Sequence, residues 1–458
     1  MAQPFYLIVA APNKLQKIVA HARSLTPSAN GDPVIPVGSA RVVLSPPAVT
    51  RIVEHAQATN TSTAAAPTFE KLMASMGAKN ASPVNFKRLS TLIAAREPEE
   101  ISSVARGMPS APLTIQGYDW HLKETRLVEA WSLLGDYQMI DWAGTRVGQL
   151  DTGFRRVPAL GFATSTSSRS DFVLTDLDRD FLPSDFGYDP LQGKGAPFAS
   201  EFSAEDPLLG GPNDGHGTRT GSVLAGYDPT PETPYFGVAP RVPYIPVRIS
   251  DTVIINSAQA PLAQGIEYLV QNGCNVLTLS MGMALTVIQD CLRSAINYAY
   301  EQGVILVCAA GNIWDPVVAP ARLNRTIAIG GSTPDHTPWN GSSHGPEVDV
   351  SAPAWPIRRA TVDRKGAPSY GYGDGTSFAT PAVAGTAALW LLYRGAEIAV
   401  AYPEKWQRVE AFKRLVTRTA QPGVSWNTHL YGAGILDAYA TLTAELPAAS
   451  SLVKDQPA

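Results

Sequence analysis

The chain has 458 residues, 45% of them apolar and 17% charged, which supplies core for one large domain plus a small one and excludes a disordered tail. Its 36 basic and 40 acidic residues leave a net charge of −4, without the basic bias that nucleic-acid binding requires. No unbroken run of about 18 apolar residues occurs, so no membrane span is expected.

Residues 5–11 read as a strand, and Pro12 opens a helix in which Leu15, Ile18, Val19 and Ala22 recur at helical spacing. The first residues lack a positive region and are apolar only briefly, so a buried strand accounts for them better than a secretory leader. A cytoplasmic location is the resulting expectation. Gly31 to Pro36 reads as a turn, 40–44 as a strand, 49–56 as a short helix and 57–67 as an exposed loop. Helical character returns at 69–76 and 86–96. Residues 1–115 are thus expected as a small α+β unit with little chemistry of its own.

From Trp120 the pattern changes. Apolar runs at 146–150, 242–249, 275–280, 304–309 and 326–330 alternate with helical segments near 217–225, 261–272, 287–302, 377–393 and 403–418. Strand-sized runs between helix-sized ones predict an α/β domain over 116–446, with a mostly parallel central sheet flanked by helices. The Ala/Ser-rich residues 447–458 are expected as a flexible tail. The three cysteines, an odd count, are read as buried free thiols.

In open parallel sheets reactive groups collect beyond the carboxyl ends of the strands. Asp151, Ser280 and Asn312 each follow such a strand, and glycine-rich turns lead into helices at His216 and Ser377. A serine hydroxyl becomes a useful nucleophile near neutral pH only when an imidazole takes its proton and a carboxylate holds the imidazole. Asp151, His216 and Ser377 are those three types. Asn312 and the Ser377 N–H can meet the oxyanion that acyl transfer develops. Pro381 is tolerable only if its helix begins close to Ser377, which puts that serine at the positive end of the helix dipole.

These segments resemble the subtilisin-like serine peptidases, the subtilases. The resemblance rests on Val147–Gly153, on Gly215-His216-Gly217-Thr218, on Ala309-Ala310-Gly311-Asn312 and on Gly375-Thr376-Ser377-Phe378-Ala379-Thr380-Pro381, in family order. It implies a subtilisin-like fold and hydrolysis of protein or peptide substrates with no cofactor needed for the chemistry. Asp151 would be the orienting acid, His216 the general base, Ser377 the nucleophile and Asn312 the oxyanion donor. Ser280, Met281 and Gly282 would line the first specificity pocket and pair with extended substrate, facing Ala309, Ala310 and Gly311. Val318 falls where relatives that accept large side chains often have glycine, which predicts a shortened pocket and small or medium apolar P1 residues.

Some features depart from the family pattern or stand outside it. Arg219 follows the histidine motif where a second histidine is common. The long interval between Asp151 and His216 carries Asp171, Asp176, Asp178, Asp180, Asp185, Asp189, Glu201, Glu205 and Asp206, read as a solvated insertion, with a structural calcium site or an acidic rim as alternatives. The α+β unit is either an inhibitory prosegment cut between Glu97 and Tyr118 or a permanent accessory domain. None of the seven histidines has helix-borne zinc spacing. Two other functions stay open: a dedicated maturation or self-processing peptidase, and a non-catalytic peptide-binding protein on the same scaffold. Oligomeric state is not legible.

Overall fold

The computed structural model describes residues 5–10, 12–25, 34–38, 41–44, 49, 52–55, 69–76 and 78–84, and from 120 onward all but 136–139, 164–168, 183–202, 208–212, 231–233, 284–286, 313–315 and 364–366. The chain divides into a unit within residues 1–98 and a larger one from 99 to 458, outside 284–287. The loop read at 57–67, the helix at 86–96 and the cut expected between Glu97 and Tyr118 lie outside the described residues.

In the first unit, β1 (Phe5–Ala10), β2 (Val34–Gly38), β3 (Arg41–Leu44) and β4 (Ala78–Val84) form an antiparallel sheet in the order β2-β3-β1-β4. The helix Pro12–Leu25 puts Ile18 and Ala22, one turn apart, into a core with Ile8, Leu44, Ile52, Phe69 and Met73. The turn expected at Gly31 to Pro36 is corrected: Val34–Gly38 is a strand. It lies at the sheet edge, where the missing N–H of Pro36 costs no ladder bond.

The larger unit is built on seven parallel strands. They are β5 (Val147–Asp151), β6 (Arg179–Asp180), β9 (Tyr244–Arg248), β10 (Val276–Leu279), β11 (Ile305–Ala309), β12 (Ile327–Ser332) and β13 (Val350–Pro353). Two ribbons, β7 (Tyr227–Asp228) with β8 (Tyr235–Phe236) and β14 (Ile357–Val362) with β15 (Pro368–Gly373), stand outside the sheet. The order β13-β12-β11-β10-β5-β9-β6 makes the chain cross over β5 between β9 and β10, so its winding reverses around the strand that ends in Asp151.

Both sheet faces are covered, so β5 and β9 to β13 are buried along their whole length. Ile305 and Val307 of β11 join one core, while Leu306 and Cys308 join the other, as a period of two requires. The helices Gln259–Gln271 and Asp290–Glu301 supply Leu262, Ile266, Leu269, Leu292 and Ile296 to the second core. The helices His216–Ala225 and Thr376–Ala401 pack against each other on the first. Burying one such leucine or isoleucine contributes about 1.5–3 kcal/mol. By length and composition the Thr376–Ala401 helix could cross a bilayer, but Thr376 through Trp390 are buried within the protein itself.

Two expectations are corrected here. The tail is held rather than frayed: Tyr402 Oη donates to Pro447 O, Arg414 Nη2 to Ser451 O, and the Asp455 carboxylate accepts from Arg325 N at 3.1 Å. The Ala/Ser composition hid Leu452 and Asp455, which anchor it. Among the cysteines, Cys274 and Cys308 are buried, but Cys291 is exposed on the Asp290–Glu301 helix. Burial pushes the Cys274 thiol up to about 12, which keeps it an inert core residue.

Candidate active site

Asp151 closes β5, and its carboxylate is buried with every oxygen engaged. Oδ1 accepts from the Thr152 N–H and from His216 Nδ1, both at 2.7 Å, and Oδ2 accepts from Thr220 Oγ1 at 2.9 Å. A carboxylate only accepts, so the proton between them sits on His216 Nδ1, which makes Nε2 the ring nitrogen able to act as a base. The chain can reach this arrangement because Gly215, with φ +71°, turns into the helix and Gly217 follows the histidine. A Cβ on Gly217 would collide with Gly153 O, so the strand end and the first helical turn could not meet.

Ser377 is the second residue of its helix and is buried with His216, each at the N-terminal end of one of the two packed helices. Pro381 has no N–H to give the Ser377 carbonyl one turn earlier. That carbonyl accepts instead from Ser280 Oγ at 2.8 Å, and the Ser377 hydroxyl donates to Ser280 O at 3.1 Å. The proline thus couples the serine helix to the end of β10.

Asn312 follows β11. Its Oδ1 accepts from both Thr376 N and Thr376 Oγ1 at 2.9 Å, so the amide end of the side chain is the one left for another acceptor. A Cβ placed on Gly375 would lie 3.3 Å from Asn312 Nδ2 and 3.5 Å from Ser377 N. The two nitrogens expected to hold an oxyanion therefore lie close to one point, which glycine leaves without a side chain.

The segments Ser280–Gly282 and Ala309–Gly311 are joined through Val318. Its N–H donates to Ala310 O at 2.9 Å. A Cβ on Gly282 would clash with Val318 Cγ2, and one on Gly311 would come within 2.9 Å of Cγ1. The isopropyl group thus fills the space between the two glycines. At Gly282 the N–H donates to Val253 O and the C=O accepts from Ile255 N, both at 3.0 Å.

Sequence reasoning missed several residues that position the site. Asp206, read as part of a solvated acidic stretch, is buried; its Oδ2 accepts from the Gly215 N–H at 2.7 Å and from Thr152 Oγ1 at 3.2 Å. Thr152 Oγ1 in turn accepts from the Gly217 N–H, so Asp206 braces the aspartate and histidine loops together. Thr220 carried a readable signal, because it lies one turn from His216 on the same helix face. Asp178 and Asp180, in the same stretch, have protein partners: Ser203 and Ala204 for the first, Leu182 and Arg248 for the second. Among the described residues no group of three potential metal ligands comes together.

A buried aspartate–histidine pair and a serine at the mouth of the neighbouring helix, beside a fixed amide, thus sit on an α/β domain with a parallel sheet. The sequence profile of the subtilase family matches residues 144–434, and the chain belongs to that family. It is 33% identical over 178 residues to the thermostable alkaline protease of Halalkalibacterium halodurans, covering 39% of this chain and 47% of that protein. It is 32% identical over 183 residues to subtilisin DY of Bacillus licheniformis, covering 39% and 64%, and 33% identical over 178 residues to thermitase of Thermoactinomyces vulgaris, covering 38% and 61%. The match thus spans about half to two thirds of the length of these relatives. In fold it is similar to MycP1 crystallised with the N-terminal propeptide removed, at TM-score 0.51 and 23% identity over 72% of this chain and 98% of that one. It is also similar to a protease from Pseudoalteromonas arctica, at TM-score 0.56 and 24% identity over 71% and 97%. Both likenesses fit the parallel sheet with helices on its two faces.

Proposed function

We propose that the chain is a serine endopeptidase in which Ser377 attacks, His216 moves the proton, Asp151 orients the ring and Asn312 receives the oxyanion. The observation that carries this reading is the buried His216–Asp151 hydrogen bond at 2.7 Å on the helix packed against the one that presents Ser377. As Ser377 Oγ bonds to the scissile carbonyl carbon, its proton passes to His216 Nε2 and the carbonyl electron pair moves onto oxygen. The hydroxyl must first turn away from Ser280 O. Asn312 Nδ2 and the Ser377 N–H receive the oxyanion. Collapse breaks the C–N bond, the amine leaves with the proton from His216, and water repeats the sequence on the acyl-enzyme. These steps call on no metal or organic cofactor. A p-nitrophenyl ester tests the acyl-enzyme: one equivalent of nitrophenolate per chain should appear in a burst, and a burst-free trace from folded protein would count against the reading.

Val318 supports a restricted substrate range over general digestion. With its side chain between Gly282 and Gly311, the pocket accepts small or medium apolar P1 residues. Val318→Gly should raise kcat/KM for P1-Phe peptides relative to P1-Ala by about tenfold or more, since each buried methylene counts for about 1–3 kcal/mol in such pockets. An unchanged ratio would remove Val318 from the pocket.

The sheet and helices within residues 1–98 have the size and α+β build of a prosegment. Removing this unit from the folded chain by limited proteolysis should raise peptidase activity. Equal activity before and after the cut would favour an accessory domain.

A further inference from the structure

Behind Asp151, on the side away from the histidine ring, lies a buried polar relay that the reaction scheme above does not use. Gln149, two residues before the aspartate on β5, is buried, and its Nε2 donates to Gly217 O and to Thr220 Oγ1, both at 2.8 Å. A backbone carbonyl can only accept, which fixes the carboxamide with its nitrogen toward Gly217 and hence toward Thr220. The threonine hydroxyl therefore receives a proton from Gln149 and has a single proton of its own to give. Three acceptors are in reach: Asp151 Oδ2 at 2.9 Å, His216 O at 3.2 Å and Gly217 O at 3.3 Å. The nearest is also the charged one, so the proton goes to the carboxylate.

Gly221 completes the arrangement. A Cβ there would come within 2.9 Å of Gln149 Oε1 and 3.3 Å of Gln149 Nε2, pushing the carboxamide off its partners. The residues at 149, 220 and 221 are thus matched to one another on a strand and a helix that meet only in the folded domain.

We infer that Gln149 and Thr220 are positioning residues for the Asp151–His216 pair, the glutamine aiming the threonine hydroxyl at the second carboxylate oxygen. With Oδ1 held by Thr152 N and Oδ2 by Thr220, the carboxylate cannot rotate, and the Oδ1 lone pair stays directed at His216 Nδ1. Substrate is not touched by either residue. The inference rests on the peptidase reading for its kinetic consequence but not for its geometry.

The test compares the full-length wild type with T220V, T220S, Q149L and G221A. Two readouts are used: kcat and KM on one peptide substrate, and the low-field proton resonance of His216 Nδ1–H. Losing one hydrogen bond to a charged group should lower kcat roughly tenfold in T220V with KM unchanged, while T220S, which keeps the hydroxyl, stays within about threefold of wild type. Q149L and G221A should fall between them, the latter without removing any polar atom. The His216 resonance should move in T220V and hold its place in T220S. Wild-type kcat with an unmoved resonance in T220V would overturn the inference, and so would equal impairment in T220S and T220V, which would mark the site as packing alone. If T220V does not fold, T220S and G221A still decide: both at wild-type kcat and resonance position, or both equally impaired, would overturn the assignment. An inactive wild type would refute the peptidase reading, whereas the resonance comparison would still judge the relay.

Discussion

Replacing Ser377 by alanine should lower kcat by about six orders of magnitude, the scale known for the corresponding serine of subtilisin. The side chain proposed to bond to the carbonyl carbon is then gone. His216→Ala should cost about as much alone as combined with the serine change, because the two act as one unit. Steady-state hydrolysis of a peptide amide measures both. Folding is not at issue for S377A: the Ser377 carbonyl that accepts from Ser280 Oγ belongs to the backbone and survives the substitution. A loss of less than about a hundredfold would mean that catalysis runs without this serine.

The second large effect belongs to Asn312. Alanine there would remove the oxyanion donor but also the acceptor that holds Thr376, so the result would mix chemistry with loop position. Asn312→Asp separates them. It keeps the oxygen that Thr376 binds and replaces the outward amide with a group that cannot donate and carries negative charge. In subtilisin the loss of this donor costs about 2.7–4 kcal/mol, which is about 10² to 10³ in kcat. At least that loss is expected for N312D, with KM nearly unchanged and the same Tm as wild type. A kcat within a few-fold of wild type would take Asn312 out of the mechanism.

The candidate site could be proposed from sequence because the patterns that point to it are local. Each reactive residue sits where an apolar strand run ends or where glycine leads into a helix, and those patterns span only a few residues. Pro381 even announced the helix start, and the structure adds that it frees the Ser377 carbonyl for Ser280. What escaped was whatever depends on distant partners. Asp206 has the same chemistry as its half-exposed neighbour Glu205, and only the fold brings Thr152 and Gly215 to its carboxylate. β4 (AKNASPV) has no period-two pattern, and its strand character comes from pairing with β1 at the sheet edge. The ribbon strand β15 (PSYGYG) is rich in glycine and half open to solvent, so it gave no apolar signal either.

The central claim is that Ser377, His216 and Asp151 form one reactive unit. A fluorophosphonate reacts with serine only when such a unit activates it, and it needs no knowledge of the substrate. Treating the protein after limited proteolysis has removed its N-terminal unit, and mapping the adduct by mass spectrometry, should place one phosphonyl group on Ser377, absent from H216A. Folded wild-type protein that stays unlabelled, or that carries its adduct on another residue, would contradict the account.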